Sequence, residues 1–348
     1  MRLLLVCERS GGHIFPALAL ARELRKDSEL RNMPARAYFF VTSLFLKKIV
    51  EREKFVVYGK SFPFRNLIIE VLYRAIEAPF LLLRIRPKKV IGFGGRDSFF
   101  LILWAKILFI ETVLYEPNFT LGRANKLLSL FVKKIYCGFQ ETQKLVKGTR
   151  FAGIPLRSDL RALDKSEAKK ILGFNSNKLL IAAIGGSQGS RFINEIFLKL
   201  ILSLSDDVQV IHLTGRKEYA EISKFYSKIN KKVIVKDFWV KMDLIYSAAD
   251  ILVSRAGAIT LGEIIHFRVP AVLIPHPQAF SHQSLNARYL EERGCAAIFS
   301  QQDFSFKDFK KTVEGLITDR TLREKIIENI RKINFVVSSG QFYKNIFS

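Results

Sequence analysis

Four short stretches of the 348-residue sequence carry residue types that could bind or move charge. In Ser10-Gly11-Gly12-His13 the glycines let the backbone turn sharply and approach a ligand, with a helix N-terminus behind them. His13 titrates near neutral pH and suits proton transfer; the bland alternative is that it caps the helix. A second glycine-rich turn runs Gly92-Phe93-Gly94-Gly95. The third, Gly185-Gly186-Ser187-Gln188-Gly189-Ser190-Arg191, joins glycines, a hydroxyl and a helix start, which together make a cradle for a pyrophosphate. The fourth is Ser254-Arg255-Ala256-Gly257. Glu263 falls one to two turns into the helix that follows, too far in to cap it, and is either a solvated side chain or an acceptor for a ribose diol.

The elements that must position these stretches follow from the apolar spacing. Each turn lies between a short β-branched or apolar run and a helically spaced one. Strands are expected near 2–7, 37–42, 55–58, 88–91, 112–116, 179–184, 208–213, 232–235, 251–253 and 271–275. Helices are expected near 14–25, 44–53, 66–86, 191–204, from 258, and 340–346. Alternation of this kind predicts α/β architecture with parallel sheets, in which ligands sit at the carboxyl ends of strands. It restarts at Gly153-Ile154-Pro155-Leu156-Arg157, so a first domain over 1–156 and a second over 157–334 are expected. Pro155 stiffens the connection, and Arg157 can reach phosphate or sugar oxygens.

Composition narrows the partners. The net charge is +24, and residues 1–157 hold 28 Lys and Arg against 12 Asp and Glu, so the first half carries most of the excess. Such a balance calls for an anionic partner: nucleic acid, an anionic membrane surface or a phosphorylated substrate. No zinc-ligand spacing, RNA-binding aromatic signature or dense basic arm is present, which argues against nucleic acid. Cys7, Cys137 and Cys295 are widely spaced and odd in number, as in a reducing cytosolic compartment. No apolar run is long enough and free enough of charge to span a bilayer. In 66–86, Leu67, Val71, Ala75, Ala78 and Leu82 fall at helical spacing among basic residues. That pattern fits a core helix with a charged outer face or a face laid on a membrane surface.

The small residues around 254–257, Glu263, the run Pro270-Ala271-Val272-Leu273-Ile274-Pro275 and the segment His282-Gln283-Ser284-Leu285-Asn286-Ala287 resemble the nucleotide-sugar half of GT-B glycosyltransferases. More narrowly, they resemble the family that adds N-acetylglucosamine to lipid I in peptidoglycan synthesis. Gly11-Gly12-His13-Ile14-Phe15-Pro16-Ala17-Leu18-Ala19 is similar to its first glycine-rich loop, but Glu8 and Arg9 stand where the family has two more glycines. The 92–98 turn is similar to its second loop, with Ser98-Phe99-Phe100 in place of Ser-Gly-Pro. Phe99 and Phe100 then either pack in the core or meet a lipid. Glu116-Pro117-Asn118, with Gly122, Asn125 and Lys126, looks like its His-Glu-Gln-Asn segment, and 153–157 looks like its Gly-Asn-Pro-Val-Arg turn.

The resemblance implies an α/β GT-B fold, two Rossmann-like domains whose parallel sheets face across a cleft, with a C-terminal segment of about 335–348 packing back on the first. It implies UDP-N-acetylglucosamine as donor. Ser187, Gln188 and the helix start at Ala258, Ile259 and Thr260 would take the diphosphate and Glu263 the ribose, with Leu261 and Gly262 in the same donor set. Asn118, Gln278 and Gln283 would take the sugar; Trp239 would stack on the uracil or lie in the core. Ser10, Gly11, Gly12 and Arg157 complete the donor set. Gly94, Gly95 and Asn125 fall on the acceptor side, and His13 is the candidate base. An inverting reaction with no metal and no cofactor is expected, on a polyprenyl-pyrophosphate-linked acceptor, lipid I. The protein would then sit peripherally on the cytoplasmic face of the inner membrane. Three rivals remain: a related GT-B enzyme with another lipid acceptor, a UDP-N-acetylglucosamine 2-epimerase-like isomerase using Glu116 and Asp97, and a noncatalytic nucleotide-sugar binder.

Overall fold

Leu3 to Cys7 are wholly buried, as a strand covered on both faces requires. The computed structural model describes residues 1–7, 11–60, 67–186, 188–277 and 282–348, with Leu67 and Asp97 described in backbone only. It divides into two compact units, Met1–Ser158 with Phe335–Ser348, and Asp159–Asn334.

Unit 1 runs β1 (Arg2–Cys7), α1 (Gly11–Leu30), β2 (Arg36–Val41), α2 (Leu44–Arg52), β3 (Val56–Tyr58), α3 (Leu67–Ile85), β4 (Lys89–Gly92), α4 (Arg96–Ile107), β5 (Glu111–Glu116), α5 (Arg123–Leu128), β6 (Lys134–Cys137), α6 (Thr142–Leu145), β7 (Thr149–Phe151) and β8 (Ile154–Pro155). Its seven-stranded parallel sheet has the order β3-β2-β1-β4-β5-β6-β7. Alternation along β1 divides the core. Leu3, Leu5 and Cys7 face Ile14, Leu18 and Leu24 of α1, while Leu4 and Val6 face Ala78 and Leu82 of α3 and Ile102 of α4.

Unit 2 runs α7 (Lys165–Ile171), β9 (Leu180–Ile184), α8 (Arg191–Ser203), β10 (Gln209–Leu213), α9 (Tyr219–Tyr226), β11 (Val233–Lys236), α10 (Met242–Ala248), β12 (Ile251–Ser254), α11 (Ala258–Phe267), β13 (Ala271–Leu273), α12 (His282–Glu291), β14 (Ala296–Ile298), α13 (Phe306–Thr318) and α14 (Arg320–Arg331). Its six-stranded parallel sheet has the order β11-β10-β9-β12-β13-β14. Buried Asp250 fastens the start of β9 and β12, taking Lys169 Nζ at 2.6 Å, Lys165 Nζ at 2.8 Å and the Leu180 amide at 2.9 Å.

The chain ends in β15 (Val336–Val337), which pairs with β8, and α15 (Ser339–Phe347), which returns to unit 1. There Phe342 meets Tyr115 edge-on at 4.9 Å, and Tyr343 donates to Asp27 at 3.2 Å. Gly153 (φ 80°) sits where a Cβ would stand 2.6 Å from Val337 Cγ1.

α3 departs from the charged-face expectation. Ile68, Leu72, Ile76, Phe80 and Leu83 are 57–69% exposed, while Glu70 and Arg74 are buried. Arg74 pairs with Glu77 and donates to Lys60 O at 2.6 Å, so its charge is matched inside the unit. Phe99 and Phe100 are partly buried against the core on this side of the sheet.

Candidate functional site

Strand order reverses at one place in each sheet: between β1 and β4 in unit 1, and between β9 and β12 in unit 2. In open α/β sheets such a switch point is where the loops leave opposite faces and a ligand crevice opens. All four chemistry-bearing stretches follow these four strands.

In unit 1, Val6 is in register with Gly92, and the Phe93 amide donates to Val6 O at 3.1 Å. The first turn of α1 and the Gly94–Gly95 loop therefore lie side by side. A Cβ on Gly94 (φ 98°) would stand 3.4 Å from both His13 Nε2 and Asn125 Nδ2, so only glycine leaves that space open. His13 Nδ1 is buried with no partner among the described residues. Burial lowers the imidazole from 6.5 to about 4, so the ring is neutral at pH 7.

Asn125 is 0% exposed; its Nδ2 donates to Glu116 Oε2 at 3.0 Å and Tyr115 O at 3.3 Å, and its Oδ1 has no partner among the described residues. Glu116 also accepts from the Asn118 amide at 3.1 Å, Asn118 Nδ2 at 2.7 Å and the Gly122 amide at 2.8 Å. Burial raises its carboxyl pKa despite these bonds. Both Glu116 oxygens are thus committed to holding the 117–125 segment, a poor arrangement for a carboxylate that must shuttle protons. Arg157 lies over the ring of Phe15 at 4.6 Å, two residues from His13 on α1, and Phe15 also crowds Gly11. Gly12 precedes His13 in the first turn, and the missing N–H of Pro16 leaves its carbonyl without the usual helical donor.

In unit 2 the 185–190 loop is closed by packing. A Cβ on Gly185 would stand 2.9 Å from Gly189 C, and one on Gly189 (φ 78°) 2.8 Å from Gly215 Cα. Ser190 caps α8, accepting from the Ile193 amide at 3.3 Å. Arg255 reaches the same hydroxyl at 2.6 Å, and its other donors go to Ile274 O at 3.1 Å, Pro275 O at 3.2 Å and Gln301 Oε1 at 3.0 Å. No carboxylate among the described residues pairs with Arg255, and burial lowers it from 12.5 to about 10, still cationic at pH 7. An uncompensated buried cation beneath two glycine-bearing loops favours an anion there.

α11 starts beside it with no side-chain cap, leaving the first-turn amides of Ala258, Ile259 and Thr260 without intrahelical partners. Leu261 and Gly262, next along the helix, are buried, and the Leu261 amide donates to Gly257 O at 2.9 Å as the helix continues. Glu263 is not the solvated side chain that one reading allowed; it is buried and accepts from Tyr246 Oη at 2.7 Å. Gln283 Oε1 takes the amides of His276 at 2.9 Å and Ala256 at 3.3 Å, tying the loops after β12 and β13. Trp239 is partly buried on the loop after β11, with its indole N–H unpartnered among the described residues. Gln188 is exposed. Glu8, Arg9, Ser10, Ser187 and Gln278 lie outside the described residues. Asn118 and Arg157, expected at the donor, belong to unit 1; the other described donor residues apart from Gly11 and Gly12 belong to unit 2.

Sequence reasoning quoted Arg255 without giving it a task, and passed over Tyr246 and Asn194. An arginine in a small-residue turn was the available signal for the first. The partners of the other two are distant in sequence and left none. Among the described residues no cluster of three or more His, Cys, Asp or Glu is placed to hold a metal ion, and no helix is long and apolar enough to cross a membrane.

Residues 9–137 match the glycosyltransferase family 28 N-terminal domain, and 180–338 its C-terminal domain. Over the full length of both chains, the sequence is 33% identical to the UDP-N-acetylglucosamine–N-acetylmuramyl-(pentapeptide) pyrophosphoryl-undecaprenol N-acetylglucosamine transferase of a Thermoanaerobacter species. Among solved structures, MurG of Acinetobacter baumannii superimposes with a TM-score of 0.77 at 22% identity, covering 99% of each chain. A UDP-N-acetylglucosamine 2-epimerase gives 0.69 at 12% identity, covering 100% of this chain and 94% of that one, a likeness of fold alone.

Proposed function

The chain belongs to glycosyltransferase family 28, and from that premise we propose that it transfers N-acetylglucosamine from UDP-N-acetylglucosamine to lipid I, giving lipid II for peptidoglycan synthesis. The observation that carries the donor half is Arg255: a buried cation hydrogen-bonded to the cap of α8 and set beside the uncapped start of α11. That arrangement suits the diphosphate of a nucleotide sugar and the negative charge that grows on it as the glycosidic bond breaks. Glu263, oriented by Tyr246, is proposed for the ribose, Trp239 for the uracil, and Gln283, whose Oε1 is already bound to backbone, for a sugar hydroxyl through its amide nitrogen.

Unit 1 is proposed to take the acceptor at Gly94, Gly95 and Asn125. The acceptor hydroxyl oxygen attacks the anomeric carbon, the bond from that carbon to the diphosphate oxygen breaks, and UDP leaves with the electron pair. The hydroxyl proton passes to His13, which burial keeps neutral and able to accept it. Attack opposite the leaving group inverts the anomeric centre. Fixed dipoles and Arg255 are proposed to neutralise UDP without a metal.

The apolar ridge of α3 is proposed to lie on the cytoplasmic face of the membrane; the same unit also exposes Phe109, at 97%, and Leu130. Exposed apolar side chains at this density mark a contact surface, and the positive charge of the first half would draw it to anionic lipid.

The test is transfer of labelled N-acetylglucosamine to purified lipid I in detergent with a chelator present. Product is expected. Donor binding without product would defeat the acceptor assignment, and product only after metal is restored would defeat the metal-free mechanism.

A further inference from the structure

Two glycines in unit 2 stand back to back. Gly189 (φ 78°) lies in the loop before α8, and Gly215 (φ 78°) in the loop after β10. A Cβ on Gly215 would stand 2.5 Å from Gly189 Cα and 2.7 Å from Gln188 O, backbone that has no side chain to swing away. The 185–190 loop therefore rests directly on the Thr214–Gly215 backbone. Thr214 is in turn held from two sides: its amide donates to Lys236 O at 3.0 Å, and its carbonyl accepts from Asn194 Nδ2 at 2.9 Å. Asn194, in the first turn of α8, is 1% exposed. Its Nδ2 also donates to Glu218 Oε2 at 2.6 Å, and its Oδ1 lies 3.0 Å from His212 Nε2. An amide whose nitrogen faces two acceptors and whose oxygen faces a ring nitrogen is held in one orientation.

We infer that Asn194 is a positioning residue for the donor's diphosphate: through Thr214 O it fixes the floor under the 185–190 loop, and His212 sets the direction of its amide. The inference rests on the donor half of the transferase reading above, which puts the diphosphate at this loop and at Arg255. Both polar atoms of the Asn194 side chain are committed inside the unit, so it acts on the donor through the loop and not by contact. A loop already held in its bound form pays little ordering entropy when the diphosphate arrives. The diphosphate is present in bound donor and in departing UDP alike, so the effect belongs to donor binding more than to kcat. Uracil and ribose are assigned to Trp239 and Glu263, on other elements, so a ligand without phosphate should not sense the floor.

The experiment measures the affinities of UDP and uridine by calorimetry, and the KM for donor and for lipid I, in the full chain and in Asn194→Asp and Asn194→Ala. Asn194→Asp keeps an oxygen for His212 Nε2 but sets an acceptor where Thr214 O needs a donor. Its UDP affinity should fall about tenfold, the order of one lost hydrogen bond and a stranded carbonyl. Uridine affinity should hold, and the donor KM should rise while the lipid I KM and kcat change little. Lowering the pH from about 8 to about 6 should return part of the UDP affinity relative to the parent, because a carboxyl buried beside Glu218 has a raised pKa and donates again once protonated. Asn194→Ala has no proton to regain and should show the loss without the recovery. If Asn194→Asp fails to fold, Asn194→Ala carries the comparison of UDP with uridine. A merely structural role would lower the unfolding midpoint and weaken both ligands alike. Equal factors for UDP and uridine, or a change confined to the lipid I KM, would therefore overturn the inference. A parent chain that binds UDP no better than uridine would defeat the donor reading, and the inference with it.

Discussion

Each unit sets a histidine near its glycine-rich loop, His212 wholly buried and His13 partly exposed, and the two are bonded differently. His212, on β10 in unit 2, is wholly buried with both ring nitrogens engaged: Nδ1 lies 3.0 Å from Tyr226 Oη and Nε2 3.0 Å from Asn194 Oδ1. The amide of Asn194 donates to Thr214 O at 2.9 Å and Glu218 Oε2 at 2.6 Å, so its oxygen must accept. Nε2 therefore carries the proton, and Tyr226 donates to Nδ1. His13 in unit 1 has a buried Nδ1 with no such partner. Burial lowers both rings, to about 3 for His212 and about 4 for His13. Both rings are shifted the same way, so it is the bonding that separates the histidine holding structure from the one proposed as base.

The largest effect should come from breaking the open one. His13→Ala is expected to lower kcat about 10²- to 10⁴-fold, the range of a general base. Donor affinity should hold, and stability should shift by less than about 1 kcal/mol, because the deleted ring satisfies little. The pH profile sharpens the point. A ring pushed from 6.5 to about 4 stays neutral through the range where an ordinary histidine takes up a proton. The acid limb of kcat/KM should therefore lie near 4, and a limb at 6.5 would show His13 solvated and the comparison wrong. Stability obeys the same sign: as pH falls from 6.5 towards 4 the unfolded chain binds a proton the folded ring refuses, so the fold weakens. Each histidine contributes up to about 1.4 kcal/mol per pH unit in that window, and His13→Ala should remove one share.

Much of this was legible before the fold was known. Alternating runs placed the strands that flank both switch points, and the glycine-rich turns marked the loops between them. What stayed hidden was pairing over distance. His212, Asn194 and Tyr226 sit on three different elements, and neither period nor spacing links them. Glu70 meets Arg96 across a strand and a loop, so helical spacing alone left 66–86 open between a charged face turned to water and a face laid on a membrane. Burial of Glu70 and Arg74 turns the apolar residues outward instead. Glu263 was ambiguous for the same reason: Tyr246, which holds it, lies on the preceding helix. His13 was readable as a candidate because its neighbours are glycines, but its missing partner is a fact of packing.

Breaking the closed histidine should reverse the result. His212→Ala removes a ring packed edge-on against Phe197 at 4.9 Å and strands Tyr226 Oη and Asn194 Oδ1 in the core. A cost of about 3–5 kcal/mol in urea unfolding is expected from the cavity and the two unsatisfied groups. For the protein that remains folded, kcat should stay within about threefold of the parent, since neither ring nitrogen is open to substrate. The donor KM should rise, because Asn194 ties the first turn of α8 to Thr214 below the 185–190 loop. A normal stability with a collapsed kcat would exchange the roles of the two histidines.

The smallest change makes His212 resemble His13. Tyr226→Phe keeps the edge-on ring contact and removes only the hydroxyl that donates to Nδ1, leaving one buried nitrogen open, as in unit 1. The loss should be about 1 kcal/mol, the worth of one neutral hydrogen bond plus the burden of the stranded acceptor. kcat should not move. An open nitrogen is not sufficient for chemistry: His13 also stands at a strand-order switch, against a glycine that leaves room beside it, whereas β10 lies one strand away from the reversal between β9 and β12. If Tyr226→Phe lowers kcat tenfold with donor affinity intact, the 212 network serves the reaction itself. Bonding would then fail as the mark that separates the two histidines, and position at the switch point alone would have to carry it.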